Sequence, residues 1–219
     1  MKNIKGVIFD LDGTLINSSI NFIEMRERII NYFRNLKLDF QSSALTISEL
    51  VEDTINKIKD EDTREKIREE INKLMNEVEL RSLTSVSSIK GVKETLKTLR
   101  VKGFKIGVLT RSCREYALKS LEKTCLIDFI DYLVARDDLD TPKPNPISVL
   151  KLIEKMELTT KEVLMVGDHV SDALCAKKAG VEFIGVLTGS SSEGEFKKIG
   201  CKTIKNVNEI FAFILDENT

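Results

Sequence analysis

Apolar positions along the chain follow two rhythms. The first is the unbroken run. Residues 4–10 (IKGVIFD), 104–110 (FKIGVLT), 163–167 (VLMVG) and 182–187 (EFIGVL) are short, rich in β-branched side chains and apolar at successive positions. Strands buried on both faces have this composition. A shorter candidate lies at 130–134 (IDYLV). The second rhythm is helical. Val92, Leu96 and Leu99 recur at i, i+4 and i+7, and Gly103 is placed to stop that helix before the next strand. Ile147, Leu150 and Glu154 share one face of another helix, with Val149, Ile153 and Met156 beside them; Asn145 is its expected N-cap and Pro146 its first residue. A third helix runs from Asp168 to Gly180, and Val207, Ile210, Phe211 and Ile214 mark a last one. Strands alternating with helices predict an α/β fold, a parallel sheet with helices on both faces. In such a sheet the binding crevice lies at the carboxyl ends of the strands.

Residues 17–86 break the alternation. They carry three helical stripes and no convincing strand: Phe22, Met25, Ile29, Phe33 and Leu36; then Ile47, Leu50 or Val51, Thr54 or Ile55, and Ile58; then Ile67, Ile71, Leu74, Met75 and Val78. Apolar stripes at this spacing are core-facing seams. The expected organisation is a core of residues 1–16 and 87–219, with an all-helical lobe, 17–86, inserted after the first strand. Two crossings near residues 16 and 87 suit a hinge. The charged run EDTREKIREE at 61–70 reads as a solvated helix face.

Composition narrows the function classes. With 219 residues and 42% hydrophobic content, the chain can bury a sizeable core. Charged residues make up 32% but cancel to a net charge of -1, so no basic field points to a nucleic-acid partner. Cys113, Cys125, Cys175 and Cys201 form no CxxC pair and read as reduced thiols, not a zinc or redox site. No apolar run approaches the ~18 residues of a membrane span, and no signal-type segment opens the chain. The expectation is a soluble, cytoplasmic protein with no membrane partner. Nothing in the sequence speaks to oligomeric state.

Chemistry gathers at the strand ends. The first strand delivers Asp10 and Asp12, the second Thr110 followed by Arg111 and Ser112, and a later one Gly167-Asp168 with Asp172 four residues on; a loop delivers Lys143. In a parallel sheet these converge on one rim. Clustered carboxylates repel one another, and a hard divalent cation such as Mg²⁺ relieves this with carboxylates, water and substrate oxygens as ligands. Asp10, Asp12, Asp168 and Asp172 are therefore the candidate metal residues, with Asp172 the weaker and also suited to a helix first turn. A hydroxyl at Thr110 and the ammonium of Lys143 suit the oxygens of a phosphoryl group. Asp10 could then attack phosphorus, with Asp12 as general acid and then base. Gly13 would let the backbone turn so that its N–H groups approach phosphate oxygens. All three prolines of the chain, Pro142, Pro144 and Pro146, lie in TPKPNP, which biases Thr141, Lys143 and Asn145 toward extended backbone. His169 is the single histidine, which leaves no material for a histidine metal cluster and makes a Ser-His-Asp triad a poor fit. It reads as a loop residue beside the site.

Together these pieces resemble the haloacid dehalogenase-like hydrolase superfamily. DLDGT at 10–14 looks like its first motif, Thr110 its second, Lys143 its third and GDHVSD at 167–172 its fourth. The likeness spans nearly the whole chain, because a helical insertion after the first motif is the arrangement of the cap-bearing subfamily I. RDD at 136–138 looks like the phosphoglycolate phosphatase-like branch. The resemblance implies a Rossmann-like core with a helical cap, and Mg²⁺-dependent phosphoryl transfer through a phospho-aspartate. It implies Asp10 as nucleophile and metal ligand, Asp12 as acid and base with its backbone carbonyl on the metal, Asp168 as metal ligand, and Thr110 and Lys143 on the phosphoryl group. Arg111 stands where relatives often carry a small or amide residue and would either add a phosphate or carboxylate contact or point outward. The expected activity is hydrolysis of a small phosphorylated metabolite, a phosphoric monoester hydrolase. The alternatives are a phosphomutase of the β-phosphoglucomutase type and a non-catalytic binding protein.

Overall fold

The computed structural model describes residues 3–41, 46–139, 143 and 145–215, with only the backbone of Leu215. Of the residues expected to be extended, Thr141 lies outside the described residues, as do Pro142 and Pro144. The chain divides into two compact units, Met1–Ser18 with Ser85–Thr219, and Ser19–Thr84.

Among the described residues, the larger unit is built on eight strands: β1 (Gly6–Phe9), β2 (Ile16–Asn17), β3 (Ser87–Ser88), β4 (Lys105–Leu109), β5 (Tyr132–Val134), β6 (Val163–Gly167), β7 (Glu182–Val186) and β8 (Lys202–Ile204). Six of them form one sheet in the order β5-β4-β1-β6-β7-β8, every pair parallel. β1 sits in the middle, with Phe9 level with Val108 on one side and Val166 on the other. The chain builds outward from β1 to β5, then crosses back to β6, so the direction of winding reverses at β1. In parallel sheets such a reversal is where ligands bind, at the carboxyl ends of the strands.

The helices of this unit are α4 (Val92–Val101), α5 (Arg114–Lys123), α6 (Pro146–Lys155), α7 (Val170–Ala179), α8 (Glu193–Lys198) and α9 (Ile210–Leu215). Their ends follow from local chemistry. Gly103 (φ 81°) lies just past α4, and Gly180 (φ 70°) closes α7 in the left-handed region. The Asn145 side chain accepts from the Ile147 amide at 3.0 Å, and Pro146 opens α6. Of the two apolar faces of α6, the one carrying Val149 and Ile153 is buried, while Ile147 and Leu150 are exposed. α6 and α7 pack with Ile8, Leu109, Val163 and Met165 into a shared core.

Several elements go beyond the hydrophobic pattern. β2 and β3 are two residues each and pair antiparallel, Ile16 with Ser88 and Asn17 with Ser87, where the chain leaves and re-enters this unit. β8 is a short edge strand without a buried run. α5 and α8 are short and polar (REYALKSLEK and EGEFKK), and each buries only part of one face.

The smaller unit contains α1 (Phe22–Asn35), α2 (Ile47–Ile55) and α3 (Glu61–Ser82). Its core is Met25, Ile29 and Phe33 from α1, Leu50 and Ile55 from α2, and Ile67, Ile71 and Val78 from α3. Phe22 and Leu36, at the two ends of the first stripe, are exposed. Thr46 and Asp60 cap α2 and α3 through their side-chain oxygens. Arg28–Glu77, Arg81–Glu24 and Arg68–Glu52 join the helices in pairs. No helix among the described residues is long and apolar enough to cross a membrane.

Candidate active site

Strand ends deliver Asp10, Thr110 and Asp168 to the rim, the first turn of α7 delivers Asp172, and Lys143 comes from the stretch before α6. Asp10 follows β1 directly, and its amide continues the sheet by donating to the Val166 carbonyl at 2.9 Å. Asp168 follows β6, and Asp172 lies in the first turn of α7, where it also accepts from the His169 amide at 3.1 Å. One oxygen from each of Asp10, Asp168 and Asp172 can be chosen so that all three lie within 4.8 Å of one another. All three residues are buried. Lys143 is buried with them. Its Nζ pairs with Asp10 Oδ1, lies 2.8 Å from Asp172 Oδ1 and donates to the Leu109 carbonyl at 2.9 Å.

The electrostatics follow from this crowding. Burial pushes the Asp10 carboxyl well above the usual carboxylate range; the Lys143 ammonium opposes that, and the charges of Asp172 and Asp168 add to it. For Lys143, burial works against the charge, but the Asp10 and Asp172 carboxylates outweigh it and its pKa is pushed up. Three carboxylates against one ammonium leave two negative charges, which one divalent cation neutralises. The donor set is all oxygen and so fits Mg²⁺ better than a thiophilic metal.

Asp12 lies outside that group. Its Oδ2 accepts from Ser112 Oγ at 2.9 Å and its Oδ1 from the Tyr116 hydroxyl at 2.8 Å. Burial raises its pKa, and hydrogen bonds from Ser18, Tyr116 and Ser112 pull it back. Its side chain is therefore not one of the clustered carboxylates.

Thr110 is buried at the end of β4, and its Oγ1 accepts from the Ser112 amide at 3.0 Å. Its own proton has no acceptor among the described residues. The positive charge of Arg111 works against the protonated forms of both Lys143 and His169. His169 caps α7, its Nδ1 2.7 Å from Ser171 Oγ; burial, with Arg111 second, holds its pKa down.

Gly13 makes the expected sharp turn. Its own amide is paired within that turn, donating to the Ile16 carbonyl at 2.8 Å. Its φ is +81°, and a Cβ there would lie 2.7 Å from Asp168 Oδ2. The glycine is required by the tight turn and by the approach of Asp168.

The hydrophobic pattern gave no hint of the loop after β7. Ser190 donates to Asp168 Oδ2 through its amide at 2.8 Å and through Oγ at 3.1 Å. Thr188 Oγ1 donates to the Gly13 carbonyl at 2.6 Å. A Cβ on Gly189 would lie 1.9 Å from Asp168 Oδ2. The run TGSS immediately past a buried strand was the available signal. Arg136, Asp137 and Asp138 also emerge with a physical role. Arg136 Nη1 donates to the Arg111 carbonyl at 2.9 Å, Asp137 accepts from the Arg114 amide at 2.9 Å, and Asp138 forms a two-pronged pair with the Arg114 guanidinium. They brace the loop that carries Thr110 and Arg111.

Carboxylates at the switch point of a parallel sheet, with a buried lysine between them, define a hydrolase site of a known kind. The family model for haloacid dehalogenase-like hydrolases matches residues 7–186, and the chain belongs to that family. It is 33% identical over 192 residues to pyrophosphatase PpaX of Halalkalibacterium halodurans, covering 88% of this chain and 86% of that protein. It is 25% identical over 206 residues to phosphoglycolate phosphatase of Nitrosospira multiformis, covering 92% and 91%. The crystal structure of a hydrolase from Pseudomonas syringae shares the fold, with a TM-score of 0.68 and 23% identity over 97% of this chain and 98% of that one.

Proposed function

We propose that the protein is a Mg²⁺-dependent phosphatase that hydrolyses a small phosphorylated compound through a phosphorylated Asp10. The observation that carries this reading is the division of labour among the acids. Asp10, Asp168 and Asp172 crowd around Lys143, while Asp12 is held apart by neutral hydroxyls. Lys143 occupies one oxygen of Asp10, and the other has no hydrogen bond among the described residues, so it is left to attack phosphorus. The bond from phosphorus to the leaving oxygen breaks as Asp12 delivers a proton to that oxygen. Asp12 then removes a proton from water, which attacks the acyl phosphate and releases orthophosphate and free Asp10. Thr110, through its hydroxyl proton, and Lys143, through its ammonium, receive phosphoryl oxygens. Asp10, Asp168, Asp172 and the Asp12 backbone carbonyl would hold Mg²⁺, which supplies positive charge against the carboxylates and the phosphoryl group. The helical unit, Ser19–Thr84, is read as a cap that selects the substrate.

The names of the relatives set the first substrates to try: inorganic pyrophosphate and phosphoglycolate, beside p-nitrophenyl phosphate. Orthophosphate release is expected with Mg²⁺ and not with a chelator. Asp10→Asn should abolish release while leaving the thermal unfolding transition in place. Activity persisting in that variant would overturn the assignment of the nucleophile.

A further inference from the structure

Asp12 accepts hydrogen bonds from three hydroxyls, those of Ser18, Tyr116 and Ser112, and the last two come from the stretch after β4. Tyr116 lies in the first turn of α5 and is fully buried, with its OH 2.8 Å from Asp12 Oδ1. Ser112 lies in the loop after β4, with Oγ 2.9 Å from Asp12 Oδ2. Both sit on a braced frame. The Arg136 amide donates to the Ser112 carbonyl at 3.1 Å, and its guanidinium holds the Arg111 carbonyl. Cys113 offers no side-chain cap to α5; Asp137 takes that place from across the chain by accepting the Arg114 amide, and Asp138 grips the Arg114 side chain. The frame therefore fixes the height and rotation of the helix that carries Tyr116.

The chemical type of these partners matters. An acid that gives up a proton and later takes one must be tolerated both as carboxyl and as carboxylate. A lysine or arginine at this distance would hold it ionised. A hydroxyl donates to the carboxylate and can rotate to accept from the carboxylic acid. Tyr116 on Oδ1 and Ser112 on Oδ2, with Ser18 as a third hydroxyl, fix the carboxylate plane without choosing its charge. We infer that Tyr116 and Ser112 are positioning residues that orient the Asp12 carboxyl for proton transfer to the leaving oxygen. The inference rests on Asp12 being the acid and base of the proposed reaction.

Leaving-group dependence tests this. Nitrophenolate departs without needing a proton, whereas an alkoxide requires one. We would compare kcat/KM for p-nitrophenyl phosphate and ethyl phosphate in the wild type, Tyr116→Phe, Ser112→Ala, Asp12→Asn and the Asp12→Asn/Tyr116→Phe pair. General acid catalysis contributes on the order of 10²–10⁴. Asp12→Asn should lose that much on ethyl phosphate and far less on the nitrophenyl ester. Tyr116→Phe should lose about tenfold or more on ethyl phosphate and under about threefold on p-nitrophenyl phosphate, with KM little changed. The double variant should be no slower than Asp12→Asn alone. Equal losses on both esters, or a further loss in the double variant, would overturn the positioning role and reveal a merely structural tyrosine. Should Tyr116→Phe fail to fold, Ser112→Ala carries the same test with the same expected selectivity. Wild-type ethyl phosphate hydrolysis in Asp12→Asn would instead sink the acid-base assignment itself, which separates the two failures.

Discussion

Gly189→Ala is the sharpest test of how Asp168 is held. An added Cβ would lie 1.9 Å from Asp168 Oδ2, 2.3 Å from its Cγ and 2.5 Å from its Cβ. No small adjustment clears three such contacts, so the whole Asp168 side chain must swing away. Gly189 does not need the left-handed region, and the backbone itself accommodates alanine. The loss falls on the two bonds from Ser190 to Oδ2, at 2.8 Å and 3.1 Å. A hydrogen bond to a charged group is worth about 1.5–3 kcal/mol. Losing the equivalent of one weakens the proposed Mg²⁺ site by roughly 10- to 150-fold. Outer contacts to metal ligands commonly cost about 10- to 100-fold. The assay is a Mg²⁺ titration of orthophosphate release, paired with calorimetric Mg²⁺ binding and a thermal melt. The expected result is a raised Mg²⁺ requirement with a nearly unchanged melting temperature. Wild-type Mg²⁺ dependence in Gly189→Ala would refute the claim that this loop fixes a working Asp168.

Three further outcomes are expected. Lys143→Met leaves Asp10 and Asp172 buried without their ammonium; breaking a buried pair costs about 3–5 kcal/mol, which lowers Tm by roughly ten degrees, and added Mg²⁺ should restore part of it. An unchanged melting curve would show that the three groups are not packed together. Phe33→Ala empties the core of the helical unit at about 3–5 kcal/mol and should speed hydrogen exchange in α1 and α3 while β1, β4 and β6 stay protected; equal loss in both units would contradict their separate cores. The pKa of Asp12 is raised by burial, so the folded protein holds that proton more tightly than the unfolded chain, and its contribution to stability falls as pH rises through the folded value. In chelator, Asp12→Asn should therefore gain stability over the wild type between about pH 4 and pH 8, measured by urea unfolding, and a gain that shrinks with rising pH would reverse the sign of the argument.

Much of the architecture was legible because burial is a local property of composition. A strand covered on both faces must be apolar at successive positions, so β1, β4, β6 and β7 stood out as runs. The helical unit showed its stripes for the same reason, with Met25, Ile29 and Phe33 one turn apart. β8 and the two-residue β2 and β3 left no trace, since an exposed or very short strand imposes no pattern. α5 was hidden by its polar face, although it carries Tyr116.

The acids of the rim could be read from the chain because parallel strands deliver their ends to one side, whatever the spacing between them. Which oxygen each acid turns toward could not be read there. That Asp12 faces Ser112 and Tyr116 depends on contacts 100 and 104 residues away. That Asp168 leans on Gly13, Gly189 and Ser190 depends on loops from β1 and β7 meeting over it. Hydrophobic periodicity records only whether a position is buried. Hydrogen-bond direction and charge pairing are set between side chains brought together by folding, and no local pattern encodes them.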